Sequence, residues 1–242
     1  MEDFMTENEH SILQHDRTEI NISESVIQSI DDFGQLVQKW NGLSLVARST
    51  VDELWDWHFL EALSVVSLLK DYPYPIIDFG AGGGVLGIPL ALAGVSNIHL
   101  VERSDNKLTF LRTIAKFKNS HEIMPFEASI KPKFDCQNLD QASESNLKNT
   151  NELEHSNISA DELGSNKFAL LIRGVDKIAP MLDIFQEHIR NGMVDQIILF
   201  KSYNVERELY YAGFNYDFEY RTFNRIGRAH GKIVILRDIQ TI

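Results

Sequence analysis

A glycine-rich segment between an apolar run and a helical pattern constrains the fold of this chain more than any other feature. It extends from Asp78 to Gly87, directly after the apolar residues 75 to 77, and carries glycines at positions 80, 82, 84 and 87. Glycine adopts positive φ at little cost, and the start of the following helix offers N–H donors and a partial positive charge. The pattern predicts a strand-to-helix turn whose main chain holds a nucleotide-like cofactor.

Two cofactors are compatible with this turn. Gly82, Gly84 and Gly87 satisfy the G-x-G-x-x-G spacing of dinucleotide-binding proteins. Asp78, however, precedes the first glycine by two positions and gives Asp-x-Gly-x-Gly-x-Gly, the usual first motif of Rossmann-like methyltransferases. S-adenosylmethionine carries a sulfonium and a zwitterionic methionine group, which a nearby carboxylate suits better than it suits a diphosphate. This order of residues favours S-adenosylmethionine.

A second carboxylate follows the next apolar run. Residues 97 to 101 are predicted to form a strand, and Glu102 stands at its end. A carboxylate in this place can accept hydrogen bonds from both ribose hydroxyls of a cofactor. Because dinucleotides and S-adenosylmethionine both contain ribose, Glu102 does not discriminate between them.

Strand and helix patterns alternate along most of the chain. Amphipathic helices are expected from residue 25 to 40 and from residue 50 to 72. Strands are expected at 75–79, 97–101, 122–126, 168–172, 196–200, 214–223 and 231–237, and helices at 85–93, 105–117, 175–190 and from Val205. Such alternation predicts an α/β protein with parallel strands and helices on both faces of the sheet. Together with the Asp-x-Gly-x-Gly-x-Gly motif, it indicates the Rossmann-like class I methyltransferase fold. Its central sheet would be mostly parallel, with an antiparallel C-terminal strand and helices preceding it.

Composition suggests three regions. Residues 1–22 are expected to be an acidic flexible arm, residues 23–72 an N-terminal helical extension, and residues 73–242 the methyltransferase domain. Residues 135–166 are rich in Asn, Ser, Glu and Gln, and we expect them to form a disordered insertion in that domain.

Charge and cysteine content limit the possible partners. The chain has a net charge of −12, but residues 1–32 and 135–166 hold 16 of its 35 acidic residues, and the remainder carries 19 acidic and 21 basic residues. A nucleic-acid face is therefore compatible with the sequence. The lone Cys136, the acidic start, the absence of metal-ligand spacing and the lack of a long apolar run predict a reduced, cytoplasmic protein without a metal or a membrane span.

Further motifs accompany the glycine loop. They are Trp40-Asn41, His58-Phe59-Leu60-Glu61-Ala62-Leu63, Leu100-Val101-Glu102, Lys107, Phe110-Leu111-Arg112, Arg173 and Phe200-Lys201. Together they resemble the glucose-inhibited division protein B family, also called RsmG, over residues 33–237 apart from the insertion. The motif His-Phe-Leu-Glu-Ala-Leu ahead of the glycine loop is the most specific part of this resemblance.

The resemblance implies a bacterial enzyme that uses S-adenosylmethionine to methylate N7 of one guanine in small-subunit ribosomal RNA. Its partner would be ribosomal RNA or the small ribosomal subunit, and we expect a monomer. Catalytic roles are expected for Arg173, Lys201 and His58. Cofactor contacts are expected from Asp78, Gly80, Gly82, Gly84, Val85, Gly87, Glu102, Ile130 and Arg173.

The expected chemistry needs little from a general base, because N7 of guanine carries a lone pair and no proton. Arg173 and Lys201 would contact O6 of guanine or a phosphate. Trp40, Trp55 and Trp57 either stack on bases or pack in the core. Three alternatives stay open: a methyltransferase of this fold with another substrate, a catalytically silent cofactor-binding relative, and an NAD-dependent oxidoreductase.

Overall fold

A computed structural model of the chain describes residues 22–116, 128–131, 167–174, 178–201, 208, 214–223 and 231–241. The N-terminal part contains α1 (Glu24–Trp40), a 3₁₀ turn (Asn41–Leu43), a π-helical turn (Trp55–Phe59), α2 (Leu60–Leu63) and α3 (Val66–Leu69). The strands and helices that follow are β1 (Ile76–Phe79), α4 (Gly87–Leu92), β2 (Ile98–Val101), α5 (Asp105–Lys116), β3 (Ala128–Lys131), β4 (Phe168–Arg173), α6 (Ile178–Ile184), α7 (Gln186–Arg190), β5 (Val194–Lys201), β6 (Phe214–Phe223) and β7 (Gly231–Thr241).

The seven strands form one sheet in the order β3-β2-β1-β4-β5-β7-β6. The first five strands of the chain run parallel, and β7 pairs antiparallel with both β5 and β6. This arrangement confirms the predicted α/β fold with its antiparallel C-terminal strand. The order reverses between β1 and β4, because β2 and β3 extend the sheet to one side of β1 and β4 extends it to the other. Ligands of open α/β sheets bind at such a reversal, beyond the carboxyl ends of the strands.

The strand register brings the predicted site residues to that edge. Asp78 of β1 pairs with Leu100 of β2 on one side and with Leu171 of β4 on the other. Arg173, the last residue of β4, pairs with Phe200 of β5. The carboxyl ends of four neighbouring strands therefore lie side by side.

Each face of the sheet is covered by one hydrophobic cluster. Residues of β4 alternate between them: Ala169 and Leu171 belong to the first cluster, whereas Leu170 and Ile172 belong to the second. The first cluster also contains the apolar side of α1 and residues of α4 and α5, and the second contains residues of α6 and α7. The helices before β1 thus share a core with the sheet.

Several helices begin later or are shorter than the sequence predicts. The second helix starts at Trp55 instead of Thr50, because the Thr50 hydroxyl donates to the carbonyl of Ala47 (3.0 Å) in a turn. The helix after the glycine loop begins at Gly87 instead of residue 85, since the turn extends through Gly84 at positive φ. The predicted helix 175–190 is observed as two helices, α6 and α7, separated at Phe185.

The third strand is Ala128–Lys131, farther along the chain than the predicted 122–126. That predicted range, residues 1–21 of the predicted arm 1–22, the insertion 135–166 and the helix start at Val205 lie outside the described residues. The last strand continues to Thr241, beyond the predicted end at residue 237.

Candidate active site

The glycine loop after β1 has the backbone that its sequence predicts. Gly80, Gly82 and Gly84 have φ values of 79°, 62° and 75°, a region that side chains with a Cβ rarely adopt. The N–H groups of Gly80 and Ala81 both donate to the carbonyl of Val101, at 2.9 and 3.0 Å. A Cβ on Gly80 would meet no atom within 4 Å, so the backbone here faces open space and a ligand can approach it closely.

Two glycines of the motif, Gly84 and Gly87, are needed for close packing. A Cβ on Gly84 would lie 2.5 Å from Cδ1 of Ile88, and a Cβ on Gly87 would lie 2.3 Å from Cδ2 of Leu100 and 2.9 Å from Oδ2 of Asp78. These distances are far below van der Waals contact. Gly84 and Gly87 therefore let helix, loop and sheet approach one another, and neither glycine lines the cavity described below.

Asp78 is buried at the base of the loop. Only 2% of its surface is exposed, and Oδ2 accepts a hydrogen bond from the N–H of Gly87 at 3.0 Å. Burial raises the pKa of Asp78 from 3.8 to about 7; the charge of Glu102 adds to this effect, and the hydrogen bond from Gly87 opposes it. A positively charged group in the cavity would favour the ionised form of Asp78.

Glu102 closes the other side of the loop. It is 7% exposed; Oε2 accepts from the N–H of Gly82 and Oε1 from the N–H of Ser104, both at 2.8 Å. A carboxylate has about four lone-pair positions, so Glu102 retains capacity for further donors such as hydroxyls. Glu102 itself does not line the cavity, whereas its hydrogen-bond partner Gly82 does.

A cavity of about 830 Å³ opens beyond the carboxyl ends of β1 and β4. This volume lies within the usual range of small-molecule sites. Its lining comes from β1 and the glycine loop after it, the segment before the π-helical turn, that turn and its continuation, α5, and the ends of β4 and β5. The lining residues are Ser44, Leu45, Val46, Ala47, Thr50, Trp57, His58, Glu61, Asp78, Gly80, Ala81, Gly82, Gly83, Val85, Leu86, Lys107, Arg173, Gly174 and Phe200.

The segment 44–47 forms a wall of the cavity that the sequence did not predict. It packs tightly on the loop, because a Cβ on Gly83 would lie 2.9 Å from Cβ of Leu45. The segment is held by Asn41, whose Oδ1 accepts from the N–H of Val46 at 3.0 Å, and it contains Ser44 at φ 57°. In the sequence, Asn41 and Gly42 indicate a turn before this segment. They do not indicate that the segment contacts the glycine loop.

Arg173, His58 and Glu61 form one polar cluster on the cavity wall. Nη2 of Arg173 donates to Nδ1 of His58, and Nε of Arg173 lies 3.5 Å from Oε2 of Glu61. The side chain of Glu61 is 7% exposed and that of Arg173 is 22% exposed. The buried strand β4 thus ends in a cation whose charge Glu61 compensates, as a charge in this position requires.

The tautomer of His58 follows from its second partner. Nε2 of His58 lies 2.9 Å from Oγ1 of Thr50, and that hydroxyl already donates its only proton to the carbonyl of Ala47. Nε2 must therefore carry the hydrogen and donate to Thr50, which leaves the lone pair of Nδ1 to accept from Arg173. His58 is consequently neutral, has both ring nitrogens engaged, and positions Arg173.

The positions of the remaining predicted site residues follow from the strands and the loop to which they belong. Val85 lines the cavity with the loop. Lys201 ends β5 directly after Phe200, which also lines the cavity. Ile130 lies in β3 and pairs with Leu100, so β2 separates it from β1.

Sequence reasoning did not include three further lining residues in the site: Trp57, Glu61 and Lys107. Lys107 belongs to a basic stretch of α5, and Glu61 stands within the motif that begins at His58, so a signal existed for both residues. The sequence allowed the same two interpretations, base stacking or core packing, for all three tryptophans. Only the tertiary structure distinguishes Trp57 from the other two.

The described residues contain neither a metal-binding cluster nor a membrane-spanning helix. In the part of the chain that the structure describes, no group of three or more His, Cys, Asp or Glu side chains is arranged to hold a metal ion. None of the helices described is long and apolar enough to traverse a bilayer.

Comparison with known proteins points to one family. The family model described as rRNA small subunit methyltransferase G matches residues 26–174. The ribosomal RNA small subunit methyltransferase G of Rhodospirillum centenum is 35% identical over 96 residues, which are 39% of this chain and 44% of that relative. The protein of the same name from Rickettsia rickettsii is 28% identical over 180 residues, or 74% of this chain and 91% of the relative.

Solved structures show a weaker similarity. Magnesium protoporphyrin IX methyltransferase from Synechocystis, crystallised with bound SAM, matches with a TM-score of 0.48 and 14% identity. The match covers 85% of this chain and 97% of that protein. The fold assignment therefore depends on the strand order and not on this similarity.

Proposed function

The chain belongs to the rRNA small subunit methyltransferase G family, and on that premise we propose that it transfers a methyl group from S-adenosylmethionine to N7 of a guanine in small-subunit ribosomal RNA. One observation carries this proposal. A single cavity joins the open backbone at Gly80 to the charge-compensated guanidinium of Arg173 at the point where the strand order reverses. Cofactor and target base can therefore meet in one open cleft.

The residues around the loop fit S-adenosylmethionine. Gly80 leaves open space in which the cofactor can approach the main chain, Gly82 lines the cavity, and Glu102 has acceptor capacity for ribose hydroxyls. Asp78 lines the cavity and is the carboxylate that the positive charges of the cofactor would ionise. When bound, the cofactor supplies an electrophilic methyl group, and these residues hold it in a fixed orientation.

The polar cluster suits alkylation of a base nitrogen that carries no proton. N7 of guanine needs no general base, and His58, neutral with both nitrogens engaged, is not arranged to act as one. Positive charge passes to guanine as the methyl group arrives, which an uncompensated cation nearby would oppose. Because Glu61 lies 3.5 Å from Arg173, that guanidinium can donate to O6 of guanine or to a phosphate at a smaller electrostatic penalty.

We also propose that the substrate is free ribosomal RNA or the small ribosomal subunit, that the enzyme acts as a monomer, and that it acts in the cytoplasm. The family supports ribosomal RNA as the substrate class. Outside its two acidic stretches the chain carries slightly more basic than acidic residues, which is compatible with phosphate contacts.

The decisive experiment incubates purified protein and S-adenosylmethionine with small subunits, or their naked RNA, from a strain that lacks the modification. The RNA is then digested, and 7-methylguanosine is measured by mass spectrometry. We expect one modified guanine, with no product from Arg173→Ala and full product from Gly42→Ala, whose added Cβ meets no atom within 4 Å. Normal cofactor binding without 7-methylguanosine on either substrate would overturn the proposed function.

A further inference from the structure

We propose that the indole of Trp57 is the surface on which the target guanine stacks during methyl transfer, an inference that rests on the proposed function and adds a substrate-binding residue to it. The three tryptophans of the chain occupy different environments. Trp57 is half-buried and lines the 830 Å³ cavity together with His58 and Arg173.

The other two tryptophans are used in packing. Trp40 and Trp55 both pack against the larger hydrophobic cluster. The ring centroid of Trp40 lies 6.1 Å from that of Phe110, and the centroid of Trp55 lies 5.5 Å from that of Phe59 in an edge-to-face arrangement. Trp40 and Trp55 thus serve packing in this cluster, whereas Trp57 contributes to the lining of the cavity.

Trp55 and Trp57 both belong to the π-helical turn Trp55–Phe59. Such a turn holds one more residue than an α-helical turn and is frequent at functional sites. Here Trp55 and Phe59 pack in the core, while Trp57 and His58, two consecutive residues, both line the cavity. The indole N–H of Trp57 donates to Oε2 of Glu53 at 3.0 Å, which restricts rotation of the ring.

The chemistry of N7 methylation favours an aromatic surface at this position. Guanine becomes positively charged when N7 accepts a methyl group, and the face of an indole attracts cations. Stacking on Trp57 would therefore strengthen as the reaction proceeds, and an interaction that is stronger in the transition state raises the rate. Arg173, on the same cavity wall, remains available for the acceptor atoms at the edge of the base.

The test compares Trp57→Ala and Trp57→Phe with Asp56→Ala, an exposed neighbour in the same turn. Methylation rates are measured with saturating cofactor and varied RNA, and cofactor affinity is measured by calorimetry. We expect Trp57→Ala to lower kcat/KM for RNA by about 5- to 150-fold, the usual effect of removing one base-stacking aromatic residue. Trp57→Phe should restore most of the rate, and Asp56→Ala should match the unmodified chain. Cofactor affinity should stay the same in all three variants.

A fluorescence titration makes the inference independent of turnover. An RNA hairpin with one unpaired guanine should quench the tryptophan emission of the unmodified chain, and Trp57→Phe should remove that quenching. Undiminished quenching in Trp57→Phe, or an unchanged kcat/KM in Trp57→Ala, would overturn the role of Trp57. A parallel loss of cofactor affinity in Trp57→Ala would also overturn it, since the ring would then face the cofactor. Quenching that depends on Trp57 without any 7-methylguanosine would overturn the proposed function alone.

Discussion

Replacing Asp78 by Asn should make the protein more stable at pH 8 and weaken its hold on the cofactor. Burial raises the pKa of Asp78 from 3.8 to about 7, so between those pH values the folded chain holds a proton that the unfolded chain has lost. The free energy of unfolding contributed by this group must therefore fall as pH rises from about 4 to about 7 and stay level above that. At 1.36 kcal/mol per pKa unit the full loss is about 4 kcal/mol.

Asparagine removes this loss because it does not ionise, and its carbonyl oxygen can still accept the hydrogen bond from Gly87. Its buried NH₂ group loses contact with water, which costs about 1–3 kcal/mol. The net gain at pH 8 is therefore about 1–3 kcal/mol. Near pH 4, where Asp78 holds its proton, only the cost of the buried NH₂ group remains, and the variant should be about 1–3 kcal/mol less stable than the unmodified chain. Without a carboxylate the variant should bind S-adenosylmethionine more weakly at pH 8.

Urea unfolding of both proteins, followed by circular dichroism at pH 5, 6, 7 and 8, measures the stability difference, and calorimetry measures cofactor affinity. The exposed Asp71 provides the matched control: Asp71→Asn should change neither quantity by more than about 0.5 kcal/mol. The stability of Asp78→Asn relative to the unmodified chain should rise from pH 5 to pH 7. A variant that is less stable than the unmodified chain, with a deficit that widens toward pH 8, would show that the ionised carboxylate stabilises the fold and would refute it.

Three further substitutions test other contacts. Gly87→Ala should lower the free energy of unfolding by about 1–3 kcal/mol, because the added Cβ has no space, whereas Gly42→Ala should not lower it; urea titration distinguishes them. Glu61→Ala should lower the free energy of unfolding by about 3 kcal/mol and abolish methylation, because it removes the carboxylate that lies beside Arg173. Additive effects of Glu61→Ala and Arg173→Ala in a double-mutant cycle would contradict the ion pair. Tyr72→Phe should lower the free energy of unfolding by about 1–3 kcal/mol, because it removes the hydrogen bond from the Tyr72 hydroxyl to Asp195 (2.6 Å), and it should leave methylation unchanged. Unaltered stability of this variant would argue against that hydrogen bond.

Prediction from sequence succeeded where the information lies in consecutive residues. The alternation of strand and helix patterns predicted the parallel part of the sheet, and the likeness to methyltransferases predicted the antiparallel final strand. The glycines at 80, 82 and 84 predicted a turn with positive φ, and all three have it. Sequence reasoning could not divide the glycines by role, because whether a Cβ would meet open space at Gly80 or Leu100 at Gly87 depends on neighbours distant in sequence.

The helix boundaries show how tertiary contacts override local signals. Thr50 has the residue type and spacing of a helix cap, yet its hydroxyl is engaged by Ala47 and His58, and the helical segment begins at Trp55 with a π-helical turn. His58, eight residues after Thr50 and bonded to Arg173 of β4, is a hydrogen-bond partner of that hydroxyl. This contact competes with the local preference of Thr50 for capping a helix. No local pattern marks the extra residue of that turn.

The amino-acid sequence alone determined the sheet architecture, the conformation of the glycine loop and the two carboxylates beside it. Hydrophobic periodicity and the φ requirement of glycine are properties of short stretches of chain, and they act wherever those stretches are placed. Only the tertiary structure decided that Arg173 meets His58, 115 residues earlier in the chain, that burial raises the pKa of Asp78, and that one tryptophan of three faces the cavity. These properties depend on the surroundings that distant segments create, and the register and order of the strands set those surroundings.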